Sequence, residues 1–383
     1  MKNKKLWLFL PMLLLILSGC NMTDDDTTET TQDTDNTSST SNVVTRNQLG
    51  DQFYRPALDE NSRYKTSKNR GITLNLNSGI NLSLFEKDLM RLSQDYFSTE
   101  NHFIQEGQYL SRDIVQKWLE RRSEDNPEGL NPADPNAGKE RANREDPDYV
   151  PNYLNSILEF DFFTETDNGL QLSGMTIGLA LNSIDYYQPV QFGDWFSKEI
   201  PQEEMIQQGQ TAANAIVSRI RTIEGLEQIP VTVALYEQTA EDDLSGGVFV
   251  AIGNSENGSN AIGNWETIDE RRIIYPLEGT DSAEANAFAN FQSEVEAFFP
   301  NISGITGRAH YIDNNLSNLT INIMAQFYGE GEMIAYTQFL KQSATTYLPQ
   351  DLSVEIIVES PNSVEAFLTK EATDVEYFSY VFD

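Results

Sequence analysis

Of the side chains that do covalent or acid–base chemistry, the sequence offers one cysteine, two histidines and 59 carboxylates. The cysteine is Cys20, directly after the small pair Ser18-Gly19. With no second thiol there is no intrachain disulfide and no multi-thiolate metal centre. His102 and His310 lie in different halves of the chain, so a nucleophile-His-carboxylate triad would have to be assembled around one of them, and no Gly-x-Ser-x-Gly elbow is present. Ser62-Arg63-Tyr64-Lys65 has the spacing of a serine nucleophile with a lysine base, but it stands without companion motifs in a polar stretch ahead of the first strand. It is read as coincidence. No His-rich metal spacing, phosphate loop or dinucleotide fingerprint occurs, so no metal and no cofactor is implied. The many acids supply pairs for glycoside hydrolysis, yet their abundance makes any chosen pair read first as solvated surface.

The better local candidates bind rather than react. Gln105-Glu106-Gly107-Gln108-Tyr109-Leu110 and Asn126-Pro127-Glu128-Gly129-Leu130-Asn131-Pro132 place amides, carboxylates and a tyrosine beside glycine, the groups a polar ligand or partner surface uses. Glu106, Gln108, Tyr109, Asn126, Glu128 and Asn131 are the candidate residues. The competing structural reading packs Tyr109, turns the chain at Gly107 and stiffens a loop with the Asn-Pro pairs. Asn254–Trp265 carries Gly, Asn and an aromatic that could hold sugar, on what otherwise reads as a hairpin loop.

The elements that must position these groups follow from periodicity. Ile72, Leu74 and Leu76 alternate with polar residues as in a half-buried strand. Ser83 and Glu86 form a capping box for a helix with Phe85, Leu89, Leu92 and Tyr96 on one face. A short helix over Ser111–Arg122 buries Ile114, Val115, Trp118 and Leu119, and Ser123–Pro151 is a long surface loop. Strands follow over Ile157–Phe162 and Leu170–Leu181, then a polar segment with Trp195, a long helix through Met205, Ile216 and Ile223, and a strand over Val231–Leu235. Glu241–Gly247 marks the expected boundary. Beyond it the order returns: strand Val248–Ile252, a helix opening at Asp281, strands over Ile305–Ile312 and Leu319–Phe327, a helix through Met333 and Leu340, and strand Val354–Val358. Glu204-Met205-Ile206 matches Glu332-Met333-Ile334, which supports a duplication. Matching the helix of Phe85 to that of Phe288 leaves extra length in the first half, mostly at about 100–155.

The expected fold is therefore α+β: two tandem similar repeats of mostly antiparallel sheet with packed helices, over 70–242 and 246–383, the first with a helix-plus-loop insertion. Strand, helix, two strands, helix, strand is the order of a split βαβ or ferredoxin-like unit.

At the other end, Lys2, Lys4 and Lys5 precede an apolar run, Leu6–Leu17, which is the layout of a secretory signal over 1–19. Its twelve residues span roughly 18 Å as a helix, short of the roughly 30 Å hydrocarbon core. Residues 20–50 are rich in Asp, Thr and Ser with little to bury, an expected disordered tether. The whole chain carries −33, and loss of the signal removes three more lysines. Such a surface repels nucleic acid and anionic lipid.

Leu17-Ser18-Gly19-Cys20 resembles the lipobox of bacterial lipoproteins. The resemblance implies cleavage between Gly19 and Cys20 by lipoprotein-processing enzymes, with diacylglycerol and a further acyl chain such as palmitate on Cys20. Two chains suffice for stable anchoring. The lipobox, the acidic tether, Gly71–Leu76, Gln105–Leu110 and Asn126–Pro132 together resemble the CamS family of sex pheromone precursor lipoproteins of Gram-positive bacteria. That resemblance implies a membrane partner through the lipid anchor, a place on the outer face of the cytoplasmic membrane exposed to the cell wall, and a peptide pheromone cut from Leu13-Leu14-Leu15-Ile16-Leu17-Ser18-Gly19. It supplies no activity for the folded part, which is expected to be a binding module for a cell-wall or small polar ligand and not an enzyme. The alternative is an extracellular enzyme acting on wall glycan or peptide through carboxylates.

Overall fold

The computed structural model describes residues 48–69, 76–136, 139–277, 279, 281–298, 302–327 and 329–382. Cys20, Leu13–Gly19, the tether up to 47 and most of the expected strand at Ile72–Leu76 lie outside them. The described residues all fall in one compact unit.

Two large sheets organise the described residues. The first contains β1 (Arg55–Pro56), β2 (Phe103–Glu106), β3 (Leu154–Thr166) and β4 (Gly169–Asn182). A separate small hairpin, β5 (Ile184–Tyr187) with β6 (Phe196–Glu199), occupies the polar segment before the long helix. The first sheet then resumes with β7 (Val231–Gln238), β8 (Val248–Ser255) and β9 (Trp265–Thr267), and its spatial order is β1-β2-β3-β4-β7-β8-β9. The second sheet is β10 (Glu270–Tyr275), β11 (Ile302–Ile312), β12 (Asn315–Ala325), β13 (Ser353–Glu359), β14 (Val364–Lys370) and β15 (Phe378–Val381), in sequential order. The helices are α1 (Gly79–Ser93), α2 (Arg112–Leu119), α3 (Gln202–Ile220), α4 (Ala283–Phe298) and α5 (Glu330–Tyr347). No helix among the described residues is long and apolar enough to cross a membrane.

The α+β class holds, and the two sheets share one plan. In each, a helix joins a strand, β2 or β10, to an antiparallel hairpin, β3–β4 or β11–β12. A second helix, α3 or α5, then crosses to a parallel neighbour, pairing β4 with β7 and β12 with β13. The order is as expected, but the pairing is not a split βαβ, because no strand lies between the parallel two. Two expectations change. The strand at Val248 is hydrogen-bonded to β7 with Val248 opposite Glu237, so Glu241–Gly247 turns a hairpin inside the first sheet and the second sheet begins at Glu270. The counterpart of α4 is α2, which lies between β2 and its hairpin as α4 lies between β10 and its own, and the extra helix of the first half is α1, between β1 and β2. Amphipathic spacing reveals that a helix covers a sheet and leaves open which face it covers.

The faces explain the difference. Phe85, Leu89 and Leu92 of α1 pack with Leu158, Phe160, Ala180 and Phe249 on one face of the first sheet. On the other, α2 and α3 pack Val115, Trp118, Met205 and Ile216 against Ile157, Ile177 and Val233. A sheet covered on both faces reads as a near-continuous apolar run, as β4 does over Met175–Leu181. Gly178 permits the close approach of α1, since a Cβ there would meet Phe85 and Leu89 side-chain carbons at 2.8 Å. The second sheet is covered by α4 and α5 on one face, where Phe288, Phe291, Tyr336 and Leu340 meet Ile321, Ile323 and Ile356. The cap of α1 is Ser78, whose hydroxyl accepts from Asn81 N–H, so the helix begins a turn before the expected Ser83.

Between α2 and β3 the long loop is pinned rather than loose. Arg121 donates to the carbonyls of Pro132 at 3.0 Å and Val150 at 2.6 Å, and the Tyr149 ring stacks on Tyr187 with centroids 3.7 Å apart.

Candidate functional site

The segment Gln105–Leu110 leaves β2 and folds over two acids of β3. Glu159 and Asp161 point to one side of that strand and both are fully buried. Glu159 accepts from the backbone N–H groups of Tyr109 at 2.9 Å and Leu110 at 2.8 Å, and Asp161 from that of Gln108 at 2.9 Å. Gly107 is required at the crossing, because a Cβ would lie 2.5 Å from Glu159 Cβ and Oε2. Burial raises both acids above the ordinary carboxylate range, Asp161 the more because the Glu159 charge adds to the effect. One proton shared between them, with the other charge held by the amides of 108–110, satisfies this geometry. Tyr109 is pushed up to about 12, first by burial and then by the same two acids.

The six candidate residues separate into two groups at opposite ends of α2, whose eight residues span about 12 Å. Glu106 accepts from Tyr64 Oη at 2.8 Å and Ser67 N–H at 2.7 Å. Gln108 donates to the carbonyls of Thr66 and Glu106, and Tyr109 packs against the α2–α3 core. At the far end, Asn126 Nδ2 donates to Lys117 O at 2.8 Å, terminating the helix. Asn131 is buried and uses its whole capacity: Oδ1 accepts from Tyr153 and Leu154 N–H, and Nδ2 donates to the Leu119 and Leu154 carbonyls. Glu128 is exposed and sits near Arg219, whose guanidinium lies 5.1 Å from the Trp118 ring centroid.

A polar concavity lies elsewhere, over the β8–β9 connection. It holds about 430 Å³ and is lined by Tyr96, Asn254, Ser255, Glu256, Asn264 and Glu266, among others. This is the Asn254–Trp265 segment, and it is built more firmly than a hairpin tip. Arg221, just past α3, is buried and spends its five donor contacts on it and its neighbours. Nε reaches Ser259 O at 3.1 Å, Nη1 the Leu226 and Ile229 carbonyls at 2.8 and 2.7 Å, and Nη2 both Ser255 O at 3.1 Å and Ser255 Oγ at 3.0 Å. Asn214 Oδ1 accepts from Ile262 N–H at 2.9 Å. Tyr96 and Arg221 were not legible as site residues. The signals available were an Arg in the last turn of a helix followed by Gly225, and a tyrosine on the edge of the apolar face of α1.

His102 Nδ1 lies 3.0 Å from Ser98 O, and His310 Nε2 lies 3.1 Å from Glu270 Oε2. Neither histidine, nor Glu159 or Asp161, lines this opening. Among the described residues no group of three or more His, Cys, Asp or Glu side chains could hold a metal ion.

A family profile described as CamS sex pheromone cAM373 precursor matches residues 64–376. Among solved structures, the chain is similar to a sex pheromone precursor from Lactobacillus salivarius subsp. salivarius, with 35% identity over 89% of this chain and 99% of that one and a TM-score of 0.81. It is also similar to the C-terminal domain of the sex pheromone staph-cAM373 precursor from Staphylococcus aureus, with 28% identity over 81% of this chain and 98% of that one and a TM-score of 0.69. No curated protein matches the chain.

Proposed function

This chain belongs to the CamS sex pheromone cAM373 precursor family, and from that premise we propose that it is an outward-facing lipoprotein, held by acylated Cys20, whose folded part binds a polar ligand of the cell wall or medium. Leu13–Gly19 is the stretch released as the pheromone, by the same processing enzymes that free Cys20. The opening over β8–β9 carries the binding reading. Its roughly 430 Å³ falls in the 300–1,000 Å³ range of small-ligand sites. Its walls present amides, hydroxyls, carboxylates and one tyrosine, a set that suits a polyhydroxylated ligand such as a wall sugar. The Arg221 clamp fixes the loop beforehand, so little ordering is left to oppose binding. Hydrolysis is not favoured, because the acids most perturbed by burial, Glu159 and Asp161, are roofed by backbone and are absent from the walls of this opening.

Titration of the full chain in detergent with soluble wall-glycan fragments tests the binding. Tyr96→Ala and Asn254→Ala should each weaken it about tenfold, and glycan fragments that bind the variants unchanged would move the site elsewhere. For the anchor, Cys20→Ala should leave the protein unprocessed or released to the medium; unaltered membrane retention and mobility would defeat that part. A synthetic Leu13–Gly19 peptide should provoke a response in pheromone-sensitive recipient cells, and silence across several recipients would remove the pheromone claim while leaving the family assignment intact.

A further inference from the structure

The loop 188–195 that joins β5 to β6 puts two aromatic rings into solvent. Phe192 is 91% and Trp195 67% exposed, the two most exposed aromatic side chains among the described residues. Gly193 N–H closes a turn on Val190 O at 3.0 Å, and Phe192 is the third residue of that turn with φ of +62°. This left-handed position favours glycine or asparagine, and a bulky side chain there is strained. Packing offsets none of that strain, because the ring stands in water. The frame behind it is nonetheless formed. Gln188 Nε2 donates to Gly193 O at 2.8 Å, Asp194 N–H donates to Asn143 Oδ1 at 2.8 Å, and Asn143 Nδ2 donates to Asp194 Oδ2 at 3.0 Å. At its base Tyr187 is buried, with its ring centroid 5.9 Å from that of Phe196. A strained, exposed residue that its surroundings hold in place points to a use for the exposed ring.

Area, charge and the anchor select the partner. A phenylalanine and a tryptophan bury roughly 150–250 Å² each, so the pair offers about 300–500 Å², well under the roughly 800 Å² per side of a stable protein interface. A bilayer asks for no matching shape, and aromatic side chains, tryptophan above all, seat at its headgroup boundary. Gln188–Ser197 carries a single charged side chain, Asp194, in a chain that is 22% charged and bears −33, so the acidic protein approaches a headgroup layer here with little repulsion. Two rings bind weakly by themselves. With Cys20 held in the bilayer, however, the 28 residues Cys20–Asn47 reach at most about 95 Å, and a weak second contact within that reach is occupied through its high effective concentration. We propose that Phe192 and Trp195 insert at the headgroup boundary of the bilayer that carries the lipid anchor, and so set which side of the folded part faces the membrane. This rests on the anchored reading of Cys20.

The full chain purified from its membrane and reconstituted in phosphatidylcholine vesicles, with plain or with brominated acyl chains, tests this. The difference in emission between wild type and Trp195→Phe isolates Trp195 from Trp7, Trp118 and Trp265. That share should be largely lost in brominated vesicles, and Phe192→Asn should restore much of it. Asparagine also suits the left-handed position, so Phe192→Asn should melt no lower than wild type. Equal Trp195 emission in the two kinds of vesicle would overturn the proposal, as would a Phe192→Asn variant that melts lower and is quenched as before, because the ring would then serve the fold. Unquenched Trp195 together with a dimer that Phe192→Asn abolishes would give the loop to a second copy instead. Flotation of the same vesicles keeps the two readings apart. Wild type that floats with Trp195 unquenched sinks the insertion and leaves the anchor, whereas Cys20→Ala that floats as well as wild type, still quenched at Trp195, supports the insertion and removes the anchor. A wild-type chain that does not float defeats both.

Discussion

Glu159 and Asp161 make the folded chain sensitive to alkali. Both titrate above the ordinary carboxylate range when folded, so over the interval from about pH 4 up to their raised values the native state holds protons the unfolded chain has lost. Stability contributed by the protonated pair is therefore complete at acid pH and declines as pH rises through that interval. Asp161→Asn removes one titrating group while its amide still accepts from Gln108 N–H and can donate to Glu159. The variant should gain about 1 kcal/mol at pH 8 relative to wild type and show a flatter dependence of melting temperature on pH between about 5 and 9. An unchanged slope would mean that the pair does not share a proton. The motif at Gln105–Leu110 was legible as important, and its binding chemistry was expected from side chains. Much of it acts through backbone instead: Gly107 makes room, and the N–H groups of 108–110 hold buried charge. Glu106 alone of the three candidates there lines an opening. Sequence shows which residues are polar; which of them turn inward depends on a partner strand 50 positions away.

At the scale of elements, α1 bears the longest-range connections. Its buried face covers the first sheet, and its other side carries Asp88 and Arg91 to β10. Asp88 pairs with Arg272, whose guanidinium also donates to Gly247 O, and Arg91 reaches Glu270 Oε1 at 2.6 Å while Glu270 Oε2 meets His310. Burial opposes the Arg91 charge, yet Glu270 and Asp88 together hold its pKa above the ordinary value. The side chains of Asp88, Glu270 and Arg272 are each at most 5% exposed, so removing one partner strands another in a low-dielectric setting. Arg272→Met should cost about 3–5 kcal/mol. Asp88→Asn in the Arg272→Met background should cost far less than it does alone, measured as a double-mutant cycle in denaturant. Additive losses would show that the chain of charges is incidental. The individual helices and strands could be read from periodicity because one face of each is buried. This joint could not, because Asp88 and Arg91 fall on the polar side of α1 and read there as solvated charge. The same blindness matched α1 to α4.

Across the whole molecule, apolar cores on both faces of the first sheet and on one face of the second coexist with 59 acidic and 26 basic residues. Net charge of this size repels itself, and the repulsion is greatest in the compact state. The charge excess was plain in the sequence, and so was its consequence that anionic partners are disfavoured; its bearing on stability depends on where the ion pairs lie. The strongest of them are buried at the α1–β10 joint, where salt screens little, while most acids face water, where it screens well. Added sodium chloride should therefore remove more repulsion than attraction. Melting temperature should rise by about 3 °C or more between about 0.01 and 1 M salt, and most of the rise should come below roughly 0.2 M, where the Debye length has already shrunk from about 30 Å to under about 8 Å. A gain that instead grows steadily up to about 1 M would signal general strengthening of apolar burial by an excluded salt. A fall would mean that exposed ion pairs, and not self-repulsion, dominate the surface of this chain.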